Sequence, residues 1–182
     1  MATPVRNIAP FINDIFYVTS EWWTIRDGKL HRGLDIATSG SKPVYSILDG
    51  YVFDLGTDST RGNWIMIRNP NNGYTSLYMH LAERPLLVKG QNVSVGTYIA
   101  MEGSTGTSTG IHLHVEMQII PDGGYWIISD NKSDYLDPTL FMGIDNIKNT
   151  SWIYSGEPRP IPTSRRNHFK FWIYRKNKNS MI

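Results

Sequence analysis

Two histidines stand one residue apart in "GIHLHVE" (residues 110–116), in a chain that contains only five histidines. If this segment is a β-strand, its side chains alternate between two faces, so His112 and His114 point to the same side. Glu116 shares that side, and the apolar residues point to the core: Ile111, Leu113 and Val115. Imidazoles on one face can bind a metal or transfer protons, but an exposed polar strand face gives the same pattern.

Two other motifs carry groups of the same chemistry. "HRGLDIA" places His31 and Asp35 four residues apart, with Gly33 between them to allow close backbone approach or a sharp bend. "YTSLYMHL" places His80 at the end of an alternating segment. Taken singly, each motif is typical of a solvated turn or strand end. Together, however, the three motifs hold four of the five histidines, which favours a shared site.

The chain has no cysteine, so a metal would need His, Asp or Glu ligands. A catalytic zinc site uses three protein ligands and keeps one position open. His31, Asp35 and one member of the His112/His114 pair would make such a set. The remaining histidines would serve as general base, general acid or transition-state donors. Which histidine of the pair is the ligand stays open at this point.

Short strands are the elements that must position these groups. From residue 43 onward the sequence alternates apolar and polar residues between turn signals, and no helical periodicity of useful length occurs. Asp49-Gly50 and the turn at residues 71–73 predict hairpins, and "GYWIISD" (residues 124–130) predicts a further strand. We therefore expect a mainly β fold, an antiparallel sheet or sandwich with short hairpins. The first thirty residues fit a short helix or a strand, and the tryptophans at 22 and 23 fit either a groove or the core.

Composition divides the chain into two parts. Residues 145–182 carry eight Lys or Arg against two Asp or Glu, whereas the first 144 residues carry ten against fourteen. "GEPRPIPTSRR" has prolines at alternate positions, typical of an extended linker. We therefore expect a catalytic domain over residues 1–142 and a basic, aromatic extension over residues 143–182. The extension could target a substrate or pack against its own domain or a partner subunit.

Six segments resemble the M23 family of zinc metallopeptidases, the lysostaphin or LytM-type peptidoglycan endopeptidases. They occur in the family's order and cover roughly Phe16 to Met142. The segments are "HRGLDIA", "KPVYSILDGYV", "GNWIMIRN", "GYTSLYMHL", "VKGQNVSVGTYIAMEGSTGTSTGIHLHVE" and "YLDPTLF". The resemblance implies a LytM-like peptidase fold and a bound Zn²⁺.

The resemblance also assigns roles. It implies that His31, Asp35 and His114 hold the zinc and that His80 and His112 are catalytic. His112 is then the general base, and His80 stabilises the tetrahedral intermediate or protonates the leaving amine, although the division of these two roles stays open. Two departures from the family pattern are Ile111, where a proline is common, and Val115, where an aromatic residue is common. Glu116 would hydrogen-bond a ligand histidine or form part of the rim.

The resemblance implies a substrate and a place of action. M23 enzymes hydrolyse peptide bonds in the stem or cross-bridge of bacterial peptidoglycan, often next to glycine. The extension would bind anionic wall polymers or phage tail subunits, and nucleic acid is not expected as a partner. No apolar run is long enough to span a membrane. The first residues do not read as a secretory signal, so we expect a phage virion protein or phage lysis enzyme that acts outside the cell, at the wall.

Two other functions use the same fold. One is a catalytically inactive M23-like scaffold that activates other wall hydrolases, and the other is a phage tail protein that binds the wall or has a structural role. Loss of zinc ligands would mark the scaffold, and here all five site positions are filled. Wall binding without hydrolysis would favour the tail protein.

Overall fold

The computed structural model of the chain describes residues 3–4 (backbone only), 7–121 and 123–155, and this part is mainly β, as predicted. Fourteen strands are described: β1 (Thr3–Pro4), β2 (Ile15–Ser20), β3 (Thr24–Arg26), β4 (Lys29–His31), β5 (Leu34–Thr38), β6 (Pro43–Tyr45), β7 (Gly50–Asp58), β8 (Gly62–Arg68), β9 (Tyr74–Leu81), β10 (Asn92–Val93), β11 (Tyr98–Met101), β12 (Leu113–Ile119), β13 (Tyr135–Leu136) and β14 (Ser151–Ile153). The helical elements are a 3-10 turn at Lys132–Asp134 and the short helix α1 (Pro138–Met142). No helix in the described ranges is long and apolar enough to cross a membrane.

Ten of the strands form one sheet. Its order is β1-β14-β2-β5-β12-β9-β8-β7-β10, with β13 added to one end of β12. Neighbours in this sheet are antiparallel except for the short parallel pair of β1 and β14. Two small ribbons, β6 with β11 and β3 with β4, lie outside it. The central strands β5, β12 and β9 carry Asp35, His114 and His80, whereas His31 ends β4 and His112 directly precedes β12.

One face of the sheet forms the hydrophobic core. In β12, the side chains of Leu113, Val115 and Met117 are fully buried in that core, as the alternation predicted. Ile111 does not join them and is 47% exposed. The reason is that regular pairing of β12 begins only at Leu113, so strand alternation does not apply to Ile111.

The two predicted hairpins have different outcomes. Residues 71–73 do connect the antiparallel strands β8 and β9, and Gly73 has the positive φ of 71° that such a turn favours. The hairpin at Asp49-Gly50 is wrong, because β6 pairs with β11 whereas β7 pairs with β8 and β10. A Cβ at Gly50 would lie 2.0 Å from the carbonyl oxygen of Arg68, so this glycine permits close strand contact rather than a tight turn.

The strand predicted at residues 124–130 is also wrong. The described residues there, 123–130, form no strand. Instead, the side-chain amide of Gln118 donates to the carbonyl of Ile127 (2.7 Å) and accepts from its N–H (3.3 Å). The backbone of β12 at this end pairs with β13. The side chain of Gln118 thus binds the loop of residues 123–130, which was predicted to be a strand.

Residues 143–155 pack with the sheet. Strand β14 pairs with β2, and the side chains of Trp152 and Tyr154 are buried in the core. Residues 156–182, with most of the predicted basic extension and its linker, lie outside the described residues. The division at 142/143 therefore stays a prediction, although the composition change does not coincide with the end of the packed structure. Trp22 also belongs to the core.

Candidate metal centre and active site

Strand register brings two of the predicted ligands together. Strands β5 and β12 are antiparallel, and Asp35 lies directly opposite His114, so both side chains project from the same face. The Oδ1 atom of Asp35 is 2.7 Å from Nδ1 of His114. His31, at the end of β4, places its Nε2 3.1 Å from each of these atoms. These three buried residues are called the metal cluster below.

The ring nitrogen of each cluster histidine that faces away from Asp35 donates a hydrogen bond to another residue. Nδ1 of His31 donates to the carbonyl oxygen of Glu21 (2.9 Å), and Nε2 of His114 donates to Oε1 of Glu116 (2.9 Å). These bonds orient the rings so that Nε2 of His31 and Nδ1 of His114 face the carboxylate of Asp35. Glu116 is only 8% exposed, so it is a hydrogen-bond partner of His114 rather than a rim carboxylate.

Gly33 makes room for one of these rings. A Cβ at this position would lie 2.3 Å from Nε2 of His114 and 2.9 Å from the carbonyl oxygen of Val115. Both distances are far below van der Waals contact, so any side chain would displace the histidine or its strand. The glycine of "HRGLDIA" is thus required by close packing against the partner strand.

The charges of Asp35 and His114 strongly affect each other's pKa. Burial alone would raise the pKa of Asp35, but hydrogen bonds and positive charge from His114 and His31 hold this pKa well below its usual range. Burial alone would lower the pKa of His114, but its bonds to Asp35 and Glu116 raise it to about 9. The metal-free cluster therefore keeps His114 protonated at neutral pH, and a metal would displace a proton from it.

The two other predicted histidines lie beside the cluster. The ring centroids of His80 and His112 are 4.8 Å apart, and that of His80 is 5.9 Å from that of His114. Nδ1 of His80 donates to the carbonyl of Thr105, and Nδ1 of His112 donates to the carbonyl of Gly110, both at 2.8 Å. Each ring thus keeps its Nε2 lone pair for the site, and Nε2 of His112 lies 3.7 Å from Asp35 Oδ1.

The neutral form of His80 is favoured at neutral pH. Burial lowers the pKa of His80 to about 4, and the nearby imidazole of His114 acts in the same direction. The ring therefore accepts a proton or a hydrogen bond through Nε2 rather than carrying a resident charge.

His80 reaches the site through an irregularity of β9. Met79 and Leu77 lie opposite His114 and Glu116 and so share the site face. Regular alternation would turn His80 to the other face, towards the core. Instead, the register between β8 and β9 shifts next to this residue, and His80 has a φ of 63°, which is uncommon for a side chain other than glycine. This local backbone conformation turns the imidazole to the metal cluster.

Arg26 contacts the cluster although no sequence pattern above points to it. Its Nη1 lies 2.8 Å from Oδ2 of Asp35, the oxygen that faces away from the histidines. Arg26 ends β3, and Asp27 and Gly28, with φ of 49° and 73°, form the tight turn to β4. Asp-Gly is the usual signal for such a turn, so the hairpin that pairs Arg26 with Lys29 is readable in the sequence.

The donor set of the cluster fits a divalent transition metal. Two imidazole nitrogens and one carboxylate oxygen lie within 4.8 Å of one another, and other partners already occupy the remaining ring nitrogens. Three nitrogen and oxygen ligands, without sulfur, are typical of catalytic zinc. The residues present are therefore suited to hold such an ion.

Comparisons with known proteins agree with this geometry. Residues 29–138 match the model of peptidase family M23. The chain is 42% identical over 89 residues to the peptidoglycan DD-endopeptidase ShyB of Vibrio cholerae, a match that covers 49% of this chain and 20% of that protein. It is 41% identical over 91 residues to the DD-carboxypeptidase/endopeptidase Mpg of Neisseria meningitidis, covering 50% and 20%. These matches span about one fifth of the relatives' length.

Solved structures show the same fold. The catalytic domain of the antimicrobial peptidase lysostaphin from Staphylococcus simulans is 26% identical, with a TM-score of 0.56, over 72% of this chain and 92% of that one. A zinc-containing peptidase from Vibrio cholerae is 30% identical, with a TM-score of 0.58, over 78% of this chain and 41% of that one. The matched family region contains the whole metal cluster together with His80 and His112. The chain therefore belongs to peptidase family M23.

Proposed function

We propose that this chain is a zinc-dependent endopeptidase that hydrolyses peptide bonds in the stem or cross-bridge of bacterial peptidoglycan. The observation that carries the proposal is the convergence of the metal cluster with two further histidines whose Nδ1 atoms bind backbone carbonyls, which leaves Nε2 as the nitrogen for proton transfer. Peptidoglycan as the substrate is supported by the similar proteins ShyB and ShyA of Vibrio cholerae, which are peptidoglycan DD-endopeptidases.

In the proposed site, His31, Asp35 and His114 hold the ion. Bound zinc would supply a Lewis acid that polarises a carbonyl group and lowers the pKa of a water molecule. The carbonyl of Gly110 orients His112 so that its Nε2 takes a proton from the attacking water. The proton that His112 takes then goes to the leaving amine, either directly or through His80, whose Nε2, in a neutral ring fixed by Thr105, first accepts it. Glu116 fixes the orientation of His114 throughout.

The place where the protein acts is inferred together with its reaction. We propose that the protein acts outside the cell on the bacterial wall, as a phage virion component or a phage lysis enzyme. The basic residues beyond the described part of the chain would bind anionic wall polymers or phage tail subunits. An inactive scaffold would not need this complete set of five site residues, which favours the enzyme.

The test uses purified bacterial cell walls. The protein is added with and without a chelator, zinc is then restored, and the release of free amino groups is followed. We expect release that stops with the chelator and returns with zinc, and mass spectrometry of the released muropeptides identifies the bond. Binding to walls without release from any wall type would instead favour a wall-binding tail protein.

A further inference from the structure

Arg61 stands in the wall of the cleft that contains the metal cluster and the two catalytic histidines. It lies in the turn between β7 and β8, and its carbonyl oxygen accepts a hydrogen bond from the backbone N–H of His80 (2.9 Å). This contact ties the backbone of Arg61 directly to that of a proposed catalytic residue. The backbone of Arg61 is therefore fixed beside His80, and Arg61 lines the same cleft as the metal cluster.

The guanidinium of Arg61 is fixed on two sides. Its Nε donates to Oδ2 of Asp58 (2.7 Å), and its carbon atom lies 3.8 Å from the ring centroid of Trp64. Asp58 is itself fixed, because its Oδ1 accepts from the backbone N–H of Arg61 (2.7 Å) and of Thr60 (3.0 Å). The plane of the guanidinium is thus set by an ion pair along one edge and an aromatic ring against one face.

The outer edge of this guanidinium is unused within the described part of the chain. None of the described residues accepts a hydrogen bond from its Nη1 or Nη2, and the side chain is 33% exposed. Two neighbouring arginines of the cleft differ in this respect: Arg26 binds Asp35 through Nη1, and Arg32 binds Asp130 through Nη2. Arg61 therefore presents a free pair of donors with a fixed orientation.

A guanidinium with a free, fixed outer edge matches a carboxylate, which it binds through two parallel hydrogen bonds. We propose that Arg61 is a carboxylate-binding subsite of the cleft and that it selects anionic peptides. This inference rests on the proposed function and narrows its substrate class. It favours stem peptides, which carry free carboxylates, over neutral glycine bridges.

The experiment compares two ligands of the zinc-loaded chain. The first is the stem peptide L-alanyl-γ-D-glutamyl-diaminopimelyl-D-alanine, and the second is the same peptide with every carboxylate converted to a carboxamide. Calorimetry gives both dissociation constants. We expect the anionic peptide to bind roughly tenfold more tightly, which is the size of effect that a partly exposed charge-assisted pair provides.

Substitutions of Arg61 show whether its guanidinium, rather than the overall positive charge of the protein, causes the preference for the anionic peptide. In Arg61→Gln the ratio of the two dissociation constants should fall to about one, and Arg61→Lys should restore only part of it, because a lysine lacks the planar fork. Arg84→Gln removes the same charge from an exposed position that does not line the cleft, and it should keep the wild-type ratio.

The outcomes distinguish this inference from the proposed function. Equal binding of the two peptides by the wild-type chain, or a ratio unchanged in Arg61→Gln, would overturn the subsite. An Arg61-dependent ratio without any cleavage of cell walls would support the subsite and overturn the peptidase.

Discussion

Removing the carboxylate of Glu116 should weaken zinc binding although Glu116 is not a proposed ligand. Its Oε1 accepts a hydrogen bond from Nε2 of His114 at 2.9 Å, and both side chains are about nine-tenths buried. A buried hydrogen bond to a charged group is worth about 1.5–3 kcal/mol. That energy sets an upper limit of roughly 10- to 150-fold on the loss of zinc affinity, since about 1.4 kcal/mol is a factor of ten. The loss is below this limit, because His114 without Glu116 gives up its proton to the metal more easily. Outer partners of metal-bound histidines in other proteins have effects of about 10–100-fold.

The assay is competition for zinc with a chromophoric chelator. Glu116→Leu should show the full loss, and Glu116→Gln, which keeps a neutral acceptor, a smaller one. Glu83→Leu is the matched control, because Glu83 is an exposed glutamate that hydrogen-bonds Tyr98 and Met101 and does not line the cleft. Urea unfolding of the metal-free variants shows whether they are folded. A folded Glu116→Leu variant that binds zinc as tightly as the wild type would show that Glu116 does not support zinc binding through His114.

Three further predictions concern packing and charge. Gly33→Ala places a Cβ 2.3 Å from an imidazole nitrogen of the metal cluster, so it should lower zinc affinity at least tenfold in the same competition assay. Gly110→Ala should not, because a Cβ there has no atom of the described residues within 4 Å. Trp152→Ala should lower the free energy of unfolding by about 3–5 kcal/mol in urea, because Trp152 is buried beyond the predicted domain boundary. Ile147→Ala, in the same segment but exposed, should change it by less than about 0.5 kcal/mol, and similar effects of the two would contradict this packing. Burial raises the pKa of Glu102 above the ordinary glutamate value of 4.5, so the contribution of this group to stability is present below that value and is lost as the pH rises through the folded pKa. Glu102→Gln should therefore gain stability relative to the wild type between pH 4 and pH 7, and an equal difference at both pH values would contradict the assignment.

Strand periodicity is sufficient to predict part of the site. The two-residue repeat places His114 and Glu116 on one face and Leu113 and Val115 on the other, and the structure agrees. The spacing of the histidine motifs also predicted a shared site, and these side chains do converge. Such patterns work because they depend only on the geometry of a regular strand.

The position of His80 could not be predicted in the same way. Regular alternation places it with Tyr78, on the core face, and a register shift and a positive φ turn it to the cluster. Pairing partners are equally hidden from local patterns. The Asp49-Gly50 hairpin is wrong because contacts distant in sequence determine which strand lies beside β6 and β7.

Charged groups of the loops are the least predictable part. Arg61 stands in a polar turn, and only the fold brings it against Trp64 and into the cleft. The composition change after residue 144 reflects the basic residues of the chain's last part, whereas Trp152 and Tyr154 are apolar groups that the core accepts. The change in composition therefore does not coincide with an end of the packing, since residues 151–154 still contribute to the sheet and the core.

We propose that the two histidines of "GIHLHVE" have different roles: His114 is a zinc ligand and His112 is a catalyst. The most direct test measures zinc content and wall hydrolysis for two variants of the same chain. His114→Ala should lose both the metal and the activity, whereas His112→Ala should retain one zinc per chain and lose turnover. Loss of zinc from His112→Ala, with zinc retained in His114→Ala, would contradict the account.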